Sequence, residues 1–254
     1  MKKIKKKKEF RITVYLVLRF LVVVCMVGQI MRGSLYNVLL CFITLILFTM
    51  PTLFDKALKI KFPSTLEIIT YIFIFAAEIL GEIQNFYGIF VHWDTILHTL
   101  NGFIMGAIGF SLIDILNRKK VFDMNLSPFF VSLFALCFSM TIGVLWEFGE
   151  FFLDNNLKTD CQKDRMVYSI VSEKLGKNGD KEKLSDITSI KIYSNNNQVT
   201  ILDGYLDIGL IDTMKDLFVN FIGALVFSTL GYFYVKNRSG YKFLEIFFPK
   251  LRDN

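Results

Sequence analysis

Six stretches of this chain are each apolar over roughly the 20 residues that a helix needs to cross the hydrocarbon core of a bilayer. They fall near residues 12–31, 35–54, 65–87, 95–116, 128–152 and 213–235. Composition agrees: 53% of the 254 residues are hydrophobic, 27 are Phe, and the mean hydropathy is +0.46. A soluble domain of this length would be less apolar. The expected fold class is therefore an all-α polytopic membrane protein. It is a bundle of about six transmembrane helices with a small α/β extracytoplasmic insert between the fifth and sixth, and the lipid bilayer is its first partner.

The charges set the orientation. The net charge is +6, but the basic residues do not form a nucleic-acid patch; they cluster beside the apolar runs, as membrane topology requires. Lys2 to Arg11 precede the first run. Lys56, Lys59 and Lys61 follow the second, Arg118, Lys119 and Lys120 the fourth, and Lys236, Arg238 and Lys242 the last. The short connections on the other side carry only Arg32. Excess Lys and Arg mark the cytoplasmic side, so the expectation is a multi-pass plasma-membrane protein with both termini cytoplasmic. Residues 1–11 then form a basic cytoplasmic N-terminus, 12–152 the first five helices, 155–211 the insert, 213–235 the sixth helix and 236–254 a cytoplasmic tail. The first run is longer than a signal-peptide core and no A-x-A-like site follows it, which makes it a retained anchor.

Local signals fill in the elements. Pro51 ends the second span. Ser64 and Glu67 are spaced as a capping box after Pro63. In the insert, Met166, Val167, Ile170, Val171 and Leu175 make one helical stripe stopped by Gly176. Residues 188–202 alternate on both sides of an Asn-rich turn, which reads as a hairpin. The tail "YKFLEIFFPKLRDN" mixes Phe with Lys and is expected in the membrane interface. Cys25, Cys41 and Cys137 lie inside spans as small hydrophobes and Cys161 stands alone in a loop, so neither a disulfide nor a thiolate metal site is expected.

Against this apolar background the acids stand out, most of all in "GVLWEFGEFFLD", Gly143 to Asp154. Polar residues recur at helical spacing near one level of the membrane. Asp94 and His98 are i,i+4; Glu147, Glu150 and Asp154 are i,i+3,i+7; Asp212, Asp216 and Asn220 are i,i+4,i+8; Glu78, Glu82 and Asn85 are i,i+4,i+7. Each set occupies one helix face. Asp94 and Asp212 can also be read as N-caps, Trp93 and Trp146 as aromatic-belt residues, and Arg19 as snorkelling or paired with Asp114. Gly102, Gly106 and Gly109 make a small-residue face for close helix packing. The glutamates are harder to place. They approach helix C-termini, where the dipole disfavours carboxylates, and charge inside a span is costly. Glu147 and Glu150 thus need protons, water or a cation: His98, Lys215 or a bound metal.

Carboxylates with one imidazole form a hard, oxygen-rich donor set that suits Mg²⁺, Mn²⁺, Ca²⁺ or Fe, and bundle metal sites are built from such side chains on facing helices. The expected ligands of a divalent cation are His98, Glu147, Glu150 and Asp216, with Asp94 and Asp212 at the rim. The Glu-x-x-His pattern of di-iron bundles is absent. Three functions remain open at this point. The first is a membrane-embedded hydrolase or transferase using a metal-activated water. The second is a proton- or cation-coupled transporter that exploits crowded carboxylates. The third is a scaffold that binds a partner through its insert.

"WDTILHTLNGF", "GVLWEFGEFFLD" and "DTMKDLFVNFIGAL" resemble the YjdF-like family of bacterial integral-membrane proteins. The matching positions are Asp94 and His98, Glu147 and Glu150, and Asp212 and Asp216, and the resemblance runs from the third span onward. The stretch "YLDIGLIDTMKD" lacks the Gly-Asp-x-Trp-Asp style of run associated with that family before its last span. The resemblance implies a fold and a site, not a reaction.

Overall fold

The computed structural model describes residues 2–57, 60–118, 125–157, 159–177, 179–195, 199–248 and 250–251. Lys59, Lys119 and Lys120 of the charge pattern, and Asn196 and Asn197 of the hairpin turn, lie outside these residues. Among the described residues, five helical stretches are long and apolar enough to cross a membrane: Glu9–Met31, Leu35–Leu53, Trp93–Asn117, Pro128–Leu157 and Leu210–Lys236. The chain divides into two compact units, Met1–Gly143 with Asp216–Asn254, and Val144–Lys215.

In the first unit, α1 (Lys2–Met31) ends where Gly33 takes a left-handed φ of 72°. The Ser34 N–H bonds Gln29 O and the Gly33 N–H bonds Ile30 O, the paired closure of a Schellman motif. The second apolar run is not one helix: α2 (Leu35–Leu47) stops at Phe48 and α3 (Met50–Ala57) starts again. Pro51 sits in the first turn of α3, where its missing N–H costs nothing. A short strand, β1 (Ile60–Lys61), follows.

The third run is α4 (Ser64–Phe75) continuing into a π-helical segment, Ala76–Ile83. The expected capping box is absent. Pro63 takes the cap position with no side-chain cap bond, and Glu67, 2% exposed, accepts instead from Arg11 Nη1 at 2.5 Å. A guanidinium gives a buried carboxylate more than a terminal N–H can. The π segment closes with Gln84 N–H on Ile79 O at 3.0 Å, and the Trp93 indole donates to Ala76 O at 3.3 Å. Asn85 has left-handed backbone, so it leaves the helical face assigned to Glu78 and Glu82. The short α5 (Phe86–Ile89) leads into α6 (Trp93–Arg118).

Two apolar clusters hold this unit. Val22, Cys41, Phe48, Tyr71, Ile74 and Ile79 join α1, α2, α4 and the π segment. Leu66, Ala107, Phe110, Val131, Phe227 and Phe248 belong to the other, which joins α4, α6, α7 (Pro128–Leu157), α8 (Leu210–Lys236) and the tail. The tail thus departs from the interfacial expectation. Leu244 and Phe248 are 2% and 3% exposed, and the Phe248 ring stacks on Tyr234 with centroids 4.3 Å apart. Lys250–Leu251 forms the last strand, β8, antiparallel to β1. Burying two large side chains in a ready core outweighs leaving them in the headgroup region. Arg19 does not pair with Asp114 either. Its Nη1 bonds the Tyr15 hydroxyl, and Asp114 is taken by Arg238 Nη2 at 2.5 Å.

In the second unit the expected insert helix is replaced by strands. β2 (Arg165–Val167) pairs with β7 (Tyr205–Asp207), and β3 (Ile170–Ser172) with β4 (Glu182–Leu184), both antiparallel. Val167, Ile170 and Val171 are β-branched, and cross-strand partners such as Leu206 and Leu184 override the helical spacing. The hairpin expected at residues 188–202 is present as β5 (Ile190–Tyr193) against β6 (Val199–Leu202). Asp154 folds the chain back after α7: its carboxylate accepts from Thr159 Oγ1, Cys161 N–H and Gln162 N–H at 2.7–2.8 Å.

Candidate metal centre

The site is set by how α6 and α8 meet. A Cβ placed on Gly102 would lie 2.0 Å from Asn220 O, and one placed on Gly223 would lie 2.0 Å from Thr99 O. At both points the helix backbones touch, which only glycine permits. Further along, Gly106 faces Phe227 and Gly231 faces Phe110, so the contacts advance together along both chains and the helices run parallel. One turn before this crossing come His98 on α6 and Asp216 on α8. His98 and Asp216, two of the residues expected to share a level, are brought alongside one another by this glycine-set register.

Asp94, His98 and Asp216 converge: one ligand atom from each lies within 4.8 Å of the other two. His98 Nε2 is 3.4 Å from Asp94 Oδ1, with the imidazole 12% and the carboxylate 26% exposed, while Asp216 is 2% exposed. Asp94 is the second residue of α6 and thus in its first turn rather than a cap. There the positive end of the helix dipole stabilises a carboxylate. Thr95, the next residue, has a buried hydroxyl with no hydrogen-bond partner.

Below this level a polar tie joins three helices. Asn101 Nδ2 donates to Asn220 Oδ1 at 3.1 Å, Asn220 Nδ2 faces Ser139 O at 3.5 Å, and Ser139 Oγ donates to Gly102 O at 2.9 Å. Asn220 and Ser139 are fully buried. Sequence reasoning placed Asn220 by depth but overlooked Asn101 and Ser139. The signal was present, since an amide inside a span must find a partner, and Asn101 is i+3 from His98. Deeper still, Ala107, Ala224, Phe110 and Phe227 are 0–1% exposed and fill the core.

The other expected ligands lie in the second unit. Glu147 is 4% exposed on α7. Glu150 is half-buried and its Oε1 accepts from the Trp146 indole at 2.7 Å. Asp212 is the third residue of α8, again not a cap. It is 3% exposed and accepts from Lys163 N–H at 2.9 Å and Arg165 Nη2 at 2.8 Å. That carboxylate ties the insert to the start of α8.

No solved structure matches the chain. An uncharacterized protein of Thermotoga maritima is 28% identical over 129 residues, half of this chain; the match covers 65% of that protein, less than two thirds of its length. A family described as "Predicted membrane protein (DUF2238)" matches residues 12–237, nearly the whole chain. In keeping with the resemblance carried by its polar helices, the chain belongs to this family of predicted membrane proteins.

Proposed function

We propose that Asp94, His98 and Asp216 hold a divalent cation at the outer face of the membrane, as the centre of an embedded hydrolase or transferase. The convergence of these three side chains within 4.8 Å carries the reading. Two carboxylates and one imidazole fit Mg²⁺, Mn²⁺, Ca²⁺ or Fe better than a thiophilic ion, and Thr95, next to Asp94 in sequence, has a buried hydroxyl without a hydrogen-bond partner. A cation held by these three residues would supply Lewis acidity and lower the pKa of a water it binds. The protein's own part is to fix the three donors. Asp94 and His98 are fixed by their i,i+4 spacing and Asp216 by the glycine-set crossing. Phe110, Phe227, Ala107 and Ala224 exclude water from the inner side. That packing favours access from one face over the alternating access a transporter needs.

The proposed topology has six spans, with α4 and its π segment as the third, both termini cytoplasmic and the insert outside. It rests on the distribution of Lys and Arg beside the spans. The exposed apolar surface of the membrane-length helices, such as Phe20, Phe42, Phe129 and Phe218, suits contact with lipid.

The test is metal binding by the whole protein in detergent after chelator treatment. Adding Mn²⁺ or Mg²⁺ should raise its unfolding temperature, by the equivalent of roughly 2.7 kcal/mol at a hundred times the dissociation constant. His98→Ala and Asp216→Asn should abolish the rise. A wild-type protein that gains nothing from Mg²⁺, Mn²⁺, Ca²⁺ or Fe²⁺ refutes the reading.

A further inference from the structure

We infer that Asn220, with Asn101 and Ser139, is a positioning device for the metal ligands one turn away; this rests on the metal reading above. Asn220 follows Asp216 by four residues and Asn101 follows His98 by three, so each lies on the ligand's own helix face. The Asn101–Asn220 hydrogen bond, at 3.1 Å, is therefore a direct tie between the two ligand-bearing helices. Asn220 Nδ2 also meets Ser139 O at 3.5 Å and Met140 Sδ at 3.6 Å on α7, and Ser139 Oγ returns to Gly102 O at 2.9 Å. The loop closes on α6 one residue from Asn101.

The site could not be held this way by apolar packing alone. Apolar contacts between helices tolerate sliding of a few tenths of an ångström, whereas metal–ligand distances must hold to about 0.2 Å. A buried amide bonded on both its oxygen and its nitrogen has one rotational and axial setting that satisfies it. The glycines leave no slack around it. A Cβ on Gly143 would sit 2.8 Å from Asn220 Nδ2, and one on Gly102 would meet Asn220's backbone. Fully buried at 0% exposure, the side chain has no route to solvent partners. Asn220 touches neither metal nor substrate in this account. It acts by fixing the spacing of His98 and Asp216.

Co²⁺ serves as the probe, because its visible ligand-field bands report coordination geometry independently of turnover. The experiment uses the full chain in detergent and compares wild type, Asn101→Ala, Asn220→Ala and the double variant. The expected result is at least a tenfold loss of Co²⁺ affinity and altered bands for each single variant. The double variant should be no worse than Asn220→Ala alone, since the bond that Asn101→Ala removes is already lost with Asn220. Asn101→Ser, which can still donate, should recover part of the affinity. Unfolding temperature is measured in parallel. Wild-type affinity and bands in folded Asn220→Ala would overturn the inference while leaving the metal reading intact, as would strictly additive losses. A wild type that binds no Co²⁺ overturns both.

Discussion

Replacing Gly102 by alanine should open the α6–α8 crossing and cost about 1–4 kcal/mol. The new Cβ would stand 2.0 Å from Asn220 O, a backbone atom that cannot rotate away, where ordinary contact begins at 3.4 Å. The helices must part there by about 1 Å or more. That separation stretches the 3.1 Å Asn101–Asn220 bond past any useful length. Overpacking accounts for about 1–3 kcal/mol, and the broken interhelical bond adds about 0.6–1 kcal/mol, the usual worth inside a membrane. Alanine's better helix propensity returns at most about 1 kcal/mol, and less in lipid, where the unfolded reference is also helical. Gly223→Ala, equally close to Thr99 O, should behave alike. Gly28→Ala and Gly149→Ala are the controls, because neither glycine has a heavy atom within 4 Å of its built Cβ. They should be neutral or slightly stabilising. The assay is equilibrium unfolding of the purified protein in mixed micelles, followed by Trp fluorescence. Wild-type stability in Gly102→Ala, or an equal loss in Gly149→Ala, would refute the claim that backbone contact at this point sets the helix register.

Two further outcomes follow from groups outside the spans or at their ends. Burial pushes the Cys161 thiol up to about 11, and the nearby Asp154 and Glu150 carboxylates add to the rise. Its iodoacetamide reaction, in a background lacking the other three cysteines, should keep climbing about tenfold per pH unit through pH 10; a plateau near pH 9, as for an ordinary thiol, would contradict this environment. At the other end of α6, Arg238→Ala should destabilise more than Asp114→Asn, because the Asp114 side chain is 2% exposed and the Arg238 side chain 34%. Removing the guanidinium takes from a buried carboxylate the cation it is bonded to, at up to roughly 3–5 kcal/mol, whereas removing the acid's charge leaves a cation that can reach water. The reverse order in unfolding free energy would show that the pair is not what holds the α6 and α8 ends together.

The parts of the fold that were legible in sequence share a physical cause. A bilayer leaves the backbone little choice but helix, so apolar length alone located the starts of α6, α7 and α8 to within a few residues. α6 begins at Trp93 against an expected 95, and α8 at Leu210 against 213. Where water is the solvent that constraint lifts. In the insert, a stripe at helical spacing from Met166 to Leu175 gave way to β-branched residues pairing with distant strands. Nothing near Met166 in sequence announces Leu206. The tail failed for a related reason. Phe mixed with Lys describes an interfacial segment and an edge of a protein core equally well, and only the presence of Phe110, Phe227 and Tyr234 decides that Phe248 goes inside.

The candidate grouping of Asp94, His98 and Asp216 follows from spacing more than from electrostatics. Glu147 was singled out because a carboxylate near a helix C-terminus opposes the dipole. Yet α7 continues to Leu157, ten residues past Glu147, and the dipole's influence fades within the last turn. The dipole therefore gives Glu147 little reason to seek a cation, although its burial stands. The same reasoning strengthens Asp94. It sits in the first turn of α6, where the dipole favours a negative charge, and its partner His98 is one turn on. Asp216 is past the reach of its own helix N-terminus, six residues after Leu210. A carboxylate 2% exposed there draws little from the dipole and most from whatever positive charge its neighbours hold. His98 Nε2 faces Asp94 Oδ1 at 3.4 Å, and one ligand atom each of Asp94, His98 and Asp216 lies within 4.8 Å of the others. Two carboxylates converging on one histidine at this depth are what a divalent cation would satisfy together, and the weight of the cation reading moves from the acids of α7 to the three residues that the glycines of α6 and α8 bring into register.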